Sequence, residues 1–235
     1  MIRSILALAI VAIVAPVPAA AAQQAKAVKV TVLSTMLVGN TASGIGEWGF
    51  AAVLEVDGRR ILLDTGARAE TVIRNAEELR IDLSTITDLV ITHNHADHTG
   101  GLLTLRRELS KKQPTALSKV HVPKGIFNPR PGPGGREGNG LLPLKAPYEA
   151  TGGVFVEHAG PAVIMPGVTM LGPVPRVHPE RNFGSPNGGR VGQVQTPEGL
   201  VEDIVAEDTS IVVDTAEGLV LISGCGHSGI VNAME

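Results

Sequence analysis

An α/β fold is predicted for this chain from three observations. Short apolar runs with strand-like alternation recur in both halves. Amphipathic helical patterns fall between those runs in the first half. The chain has 235 residues, 43% of them hydrophobic and 18% charged, which suits one sizeable core and excludes wholesale disorder. A net charge of −3 gives no basic footprint for nucleic acid, and no nucleic-acid partner is expected.

The elements follow in order. Residues 1–22 read as a secretory signal peptide: Arg3, the apolar run "ILALAIVAIVA", then "AAAAQQ" with cleavage expected after Ala22. The domain then covers 23–235, with a periplasmic or secreted location and no stable membrane anchor expected after cleavage. "VKVTVLST" (28–35) alternates and reads as a strand. "FAAVLEV" and "RILLD" flank Asp57-Gly58, a hairpin signal. Val72, Ile73, Ala76 and Leu79 recur at helical spacing, predicting a helix over 69–80.

"DLVITHNH" (88–95) predicts a buried strand ending in histidines, and Leu102, Leu105 and Leu109 predict a helix over 99–110. "KVHVP" (119–123) is a further strand. "FNPRPGPGGREGNG" (127–140) is too rich in proline and glycine for a regular element and reads as a mobile loop or lid. "AVIMPGVTML" (162–171), "TSIVVDT" (209–215) and "GLVLIS" (218–223) read as strands. The stretch 172–189 between them is irregular, and "GCGHSGIVNAME" turns from a strand end into a helix.

The chemistry is concentrated in "THNHADHTGG" (92–101). His93, His95, Asp97 and His98 fall within six consecutive positions of a chain with only seven histidines. On an extended segment His93 and His95 face one way. The turn into a helix then aims Asp97 and His98 at the same cavity. Histidine and carboxylate ligands suit zinc, and also iron or manganese. A strand, a ligand-rich loop and a helix place the site at a strand's carboxyl end. Cys225 is the only cysteine, so no intramolecular disulfide staples the fold.

"ILLDTG" (61–66) and "THNHADHTGG" resemble the first and second motifs of the metallo-β-lactamase-fold hydrolases. "GEWGFAAVLEVDGRRILLDTG" (46–66), "LGPVPR" (171–176) and "EDTSIVVDTAEGLVLISGCGHSGIVN" (207–232) resemble the branch of the dihydropterin–ribofuranosylaminobenzene phosphate synthases. The resemblance implies a four-layer αββα sandwich and metal-assisted hydrolysis of a small-molecule substrate, an ester, phosphoester or related compound, with two zinc sites. It implies that Asp64 orders the ligand loop, that His227 is a ligand from the far side, and that Cys225, where many relatives carry a bridging aspartate, is a metal ligand through its thiolate. Asp97 is then the residue that orients the nucleophile or moves a proton.

His178, Arg176 and Trp48 are candidates for the substrate side, with Arg181 beside them. His121 and His158 read as structural or exposed. Relatives of this family bring a further histidine, often as glycine-glycine-x-histidine, which does not occur through Glu235; the expectation is an incomplete second half. Two rival readings stand: a secreted metallo-β-lactamase or lactonase, and a non-catalytic metal- or ligand-binding module.

Overall fold

A computed structural model describes residues 24–38, 44–180 and 192–235. The signal-peptide expectation and Arg181 lie outside these residues. Among the described residues no helix is long and apolar enough to cross a membrane.

The first half builds a six-stranded sheet. Strand β1 (Val28–Ser34) pairs antiparallel with β2 (Ala51–Val56), and β2 with β3 (Arg59–Leu63). The β2–β3 turn places Asp57 at φ 50° and Gly58 at φ 79°, the two left-handed positions that a tight hairpin of the primed type requires. From β3 the sheet continues in parallel through β4 (Asp88–Val90), β5 (Lys119–Pro123) and β6 (Val154–His158).

Each parallel step needs a crossover. The first is α1 (Ala69–Glu78), the second is α2 (Ala96–Thr99) with α3 (Leu102–Ser110), and the third contains α4 (Lys145–Glu149). All three contribute to one core, in which Val72, Leu102, Leu105 and Tyr148 meet Leu62, Leu89 and Val120 of the sheet. Each fully buried aliphatic side chain there contributes about 1.5–3 kcal/mol.

The second half builds a four-stranded sheet in the order β12-β11-β8-β7, from β7 (Ala162–Met165), β8 (Val168–Met170), β11 (Ser210–Thr215) and β12 (Gly218–Ser223). A separate hairpin, β9 (Gln193–Thr196) and β10 (Gly199–Glu202), precedes β11. Leu54, Ile61, Leu63 and Val90 of the first sheet pack on Val168, Met170, Ile211 and Val213 of the second. Two cores, one under the helices and one between the sheets, make the layered α/β architecture. Val163 and Leu219, on the second sheet, are exposed. The chain closes in the short helix α5 (Ile230–Met234).

Four expectations are corrected. The strand expected over 88–95 ends at Val90, so the histidines stand on a bend beyond it. The helix expected over 99–110 is α3, starting at Leu102, and an unexpected turn of helix, α2, precedes it across Gly100-Gly101. The single strand expected over 162–171 is split by a turn at Gly167, φ 76°. The segment 127–140 is not a free lid at its base. Pro131 and Glu137 form a β-bridge, and Arg130 and Asn139 are buried. Buried polar side chains with satisfied hydrogen bonds pin this loop where composition alone shows only glycine and proline. Strand β6 and the β9–β10 hairpin are additional to the expected elements.

Candidate metal centre

The site forms where β3, β4 and β12 deliver their carboxyl ends. Asp64 follows β3 and is fully buried, with φ 52°, a left-handed conformation uncommon for any residue but glycine. Its Oδ1 accepts from the Thr92 amide at 2.8 Å. Its Oδ2 accepts from Thr92 Oγ1 at 2.8 Å and meets His98 Nδ1 at 2.6 Å. The strain is held by three hydrogen bonds that also fix the ligand loop. Thr65 adds two more, its amide and its Oγ1 each donating to the His98 carbonyl at 2.8 Å.

Two glycines let this packing close. A Cβ on Gly100 would lie 2.2 Å from the Ala67 carbonyl oxygen, and one on Gly101 2.2 Å from that of Thr65. The "GG" after the histidines is therefore a requirement of backbone approach.

Among the described residues two ligand sets share His93. One ligand atom from each of His93, His95 and His227 lies within 4.8 Å of the others, and the same holds for His93, His98 and Cys225. The rings of His93 and His95 are 4.5 Å apart, and His227 is 4.7 Å from each. His98 Nε2 lies 3.1 Å from Cys225 Sγ and 3.6 Å from Asp97 Oδ2. Asp97 belongs to neither set but stands at their edge. The far wall foreseen from "GCGHSG" is thus brought to the histidine loop by β12.

The donor set fits a metal. His93 is fully buried, and among the described residues its Nε2 has no hydrogen-bond partner, an isolated buried polar atom that a metal would satisfy. Burial first, and then the charges of its neighbours, hold His93 well below the ordinary histidine value of 6.5. Burial and His227 bring His95 down to about 4, against the opposing pull of Asp97. Both present the neutral imidazole that ligation needs.

His98 differs. Burial disfavours its charge, but the Asp64 carboxylate and Cys225 outweigh it and carry His98 up to about 10. Its Nδ1 is held by a carboxylate while Nε2 faces the thiol, the outer-shell pattern of a metal-ligating histidine. Burial pushes the Cys225 thiol up, and His227 and His98 bring it below its ordinary value, toward the thiolate that binds metals.

The remaining candidates take other places. The Arg176 guanidinium donates to the carbonyls of His227 at 2.6 Å, Ile204 at 2.6 Å and Val205 at 2.9 Å, so it grips the backbone of a ligand. His178 lies 2.9 Å from Glu235, and its backbone is held by Asn232 of α5. Trp48 is exposed next to Gly49, where a Cβ would come 2.9 Å from the Asp97 carbonyl oxygen. His121 and His158 hydrogen-bond each other at 3.0 Å, with Asp88 3.0 Å from the other His121 nitrogen.

Sequence reasoning missed the polar groups behind the loop. Arg130, Asp203, Glu207 and Asn94 form one network, and Asp208 accepts from the Ser228 amide and hydroxyl, both at 2.8 Å. Asn94, inside the motif itself, was the one available signal.

The family model described as the metallo-β-lactamase superfamily matches residues 49–231. The chain is 29% identical over 213 residues to the 7,8-dihydropterin-6-methyl-4-(β-D-ribofuranosyl)-aminobenzene-5′-phosphate synthase of Methanocaldococcus jannaschii, covering 88% of this chain and 71% of that protein. It is 29% identical over 207 residues to MJ0448, an uncharacterized protein of the same organism, covering 85% and 72%. Among solved structures it is similar to Tm1679, a metal-dependent hydrolase of the β-lactamase superfamily, with a TM-score of 0.63, 28% identity, and coverage of 87% of this chain and 68% of that one.

Proposed function

Because the chain belongs to the metallo-β-lactamase superfamily, we propose that it is a metal-dependent hydrolase acting on a small ester, phosphoester or related substrate. The observation that carries this reading is the pair of ligand sets that meet at His93, one closed by His227 and the other by Cys225. Zinc suits this mixture of imidazole and thiolate, with iron and manganese as lesser fits.

A divalent metal held there supplies Lewis acidity toward a carbonyl or phosphoryl oxygen and acidifies water toward neutral pH. His93, His95 and His227 offer their imidazoles from both walls. Asp64 keeps His98 turned so that Nε2 faces inward. Asp97, whose side chain is 21% exposed, is the carboxylate placed to take a proton from the attacking water and return it to the leaving group. The similarity to a synthase favours a second reading, transfer of a group to an acceptor other than water.

The test compares metal content and turnover of wild type and His95→Ala. Wild type is expected to hold metal and to hydrolyse at least one of four probes: a phosphodiester, an aryl ester, a lactone and a chromogenic β-lactam. Turnover confined to the lactone or β-lactam favours the lactonase or lactamase rival. Metal without turnover of any probe overturns hydrolysis in favour of transfer or binding alone. Equal metal in wild type and mutant overturns the centre itself.

A further inference from the structure

The loop that composition marks as irregular sends a buried arginine behind the ligand loop. Arg130 is 8% exposed. Its Nε donates to Asp203 Oδ2 at 2.6 Å, its Nη2 to Glu207 Oε1 at 2.7 Å, and its Nη1 to the Asn128 carbonyl at 3.2 Å. Asn94 stands between His93 and His95 and is 4% exposed. With its oxygen toward the guanidinium, Asn94 accepts from Arg130 Nη1 at 3.0 Å and donates to Glu207 Oε1 at 3.0 Å. Arg130, Glu207 and Asn94 thus close a triangle with every edge a hydrogen bond.

The corner at Glu207 begins a segment that touches both walls. Asp208 holds Ser228, the neighbour of His227. The Thr209 amide donates to the Thr92 carbonyl at 3.1 Å, one residue before His93. The near wall, with His93 and His95, and the far wall, with His227, are therefore referred to the same three residues, 207–209. Buried ion pairs are weak evidence for stability alone, and their best-attested use is to fix register.

We propose that Arg130 is a positioning residue of the metal centre, which sets the near wall against the far wall through Asn94 and Glu207. This rests on the metal reading above. The arrangement requires arginine. One planar fork serves Asp203, Glu207, Asn94 and a backbone carbonyl at once, whereas a lysine ammonium is a compact donor without that geometry.

The test uses Arg130→Lys, which keeps the charge and removes the fork, and Asn94→Ala, which leaves the ion pairs and removes the link to the ligands. The control is Arg106→Lys. Arg106 is 3% exposed and donates to Pro114, Ala116 and Thr151 on the helical side of the first sheet, a comparable network away from the centre. Each protein is titrated with cobalt(II), and both the affinity and the visible ligand-field spectrum are recorded beside a thermal melt.

Arg130→Lys and Asn94→Ala are expected to weaken cobalt binding by about 10–100-fold, as loss of an outer-shell partner does, and to alter the spectrum. The double variant is expected to lose less than the sum, because both act on one link. Arg106→Lys is expected to lower the melting temperature with the wild-type spectrum. Should Arg130→Lys fail to fold, Asn94→Ala carries the test. Wild-type affinity and spectrum in Asn94→Ala, or in a folded Arg130→Lys, overturn the proposal. A wild-type protein that binds no cobalt overturns the metal reading instead, and is told apart by that result alone.

Discussion

Asp64→Asn isolates the part of the centre that the carboxylate controls. Asparagine tolerates the left-handed conformation at φ 52°, so the backbone is not the variable. If its carbonyl oxygen keeps the Thr92 amide, its nitrogen replaces the oxygen that now faces Thr92 Oγ1 and His98 Nδ1. A donor then meets two donors. Thr92 Oγ1 relieves its own clash by accepting from the new nitrogen, since a hydroxyl carries acceptor lone pairs as well as a proton. His98 can relieve the clash only by giving up the Nδ1 proton, which moves its remaining proton to Nε2, where a metal must bind.

The loss is one hydrogen bond to a charged group, about 1.5–3 kcal/mol. A weakening of metal binding by about 10–100-fold, usual for an outer-shell carboxylate, corresponds to about 1.4–2.7 kcal/mol. The two ranges agree in size, and because Asp64 meets His98 directly the effect is expected at the set containing His98 and Cys225. The set of His93, His95 and His227 is expected to keep its metal. Competition of a chromophoric chelator for zinc, with two-site fitting, reads this directly. Wild-type affinity at both sites, or equal weakening of both, refutes the assignment of Asp64 to His98.

Two further outcomes follow from the same packing. A Cβ on Gly224, at the end of β12, would lie 2.4 Å from Thr92 Oγ1 and 3.3 Å from Asp64 Oδ2. Gly224→Ala is therefore expected to cost about 1–3 kcal/mol by overpacking and to lower bound zinc, read by denaturant unfolding and metal analysis. Glu47 is buried and accepts from Ser34 Oγ at 2.7 Å, the Ala67 amide at 3.1 Å, Arg68 Nε at 3.1 Å and Thr71 Oγ1 at 3.0 Å. Burial raises its pKa, but the bonds from Ser34, Arg68 and Thr71 prevail and hold it below 4.5. A folded value below the unfolded one stabilises the protein above the unfolded pKa, and this stability is lost as pH falls through the folded value. Glu47→Gln is expected to lower stability at neutral pH by about 1–3 kcal/mol, with the gap to wild type narrowing in acid; a pH-independent gap in melts refutes the carboxylate's role.

What the sequence determined by itself was local. Alternation and helical spacing carried β1, the β2–β3 hairpin, α1 and β11–β12, because each pattern reports which side of an element is buried. The histidine cluster and "DTG" were legible for a related reason: ligand loops need several donors, a fixed turn and small residues within a few positions. "GCGHSG" was legible as a far wall through its resemblance to the family.

Tertiary structure decided everything that joins distant segments. Only the fold shows His93 shared between two ligand sets, Asp64 committed to His98, and Arg176 gripping the His227 carbonyl. Only the fold converts Arg130, in a stretch that reads as irregular, into a buried tie to Asn94 and Glu207. An arginine or glutamate has the same composition signature on a solvated loop and in a buried network. What separates the two is whether partners 36 or more positions away arrive within hydrogen-bond distance, and the packing of the two sheets settles that.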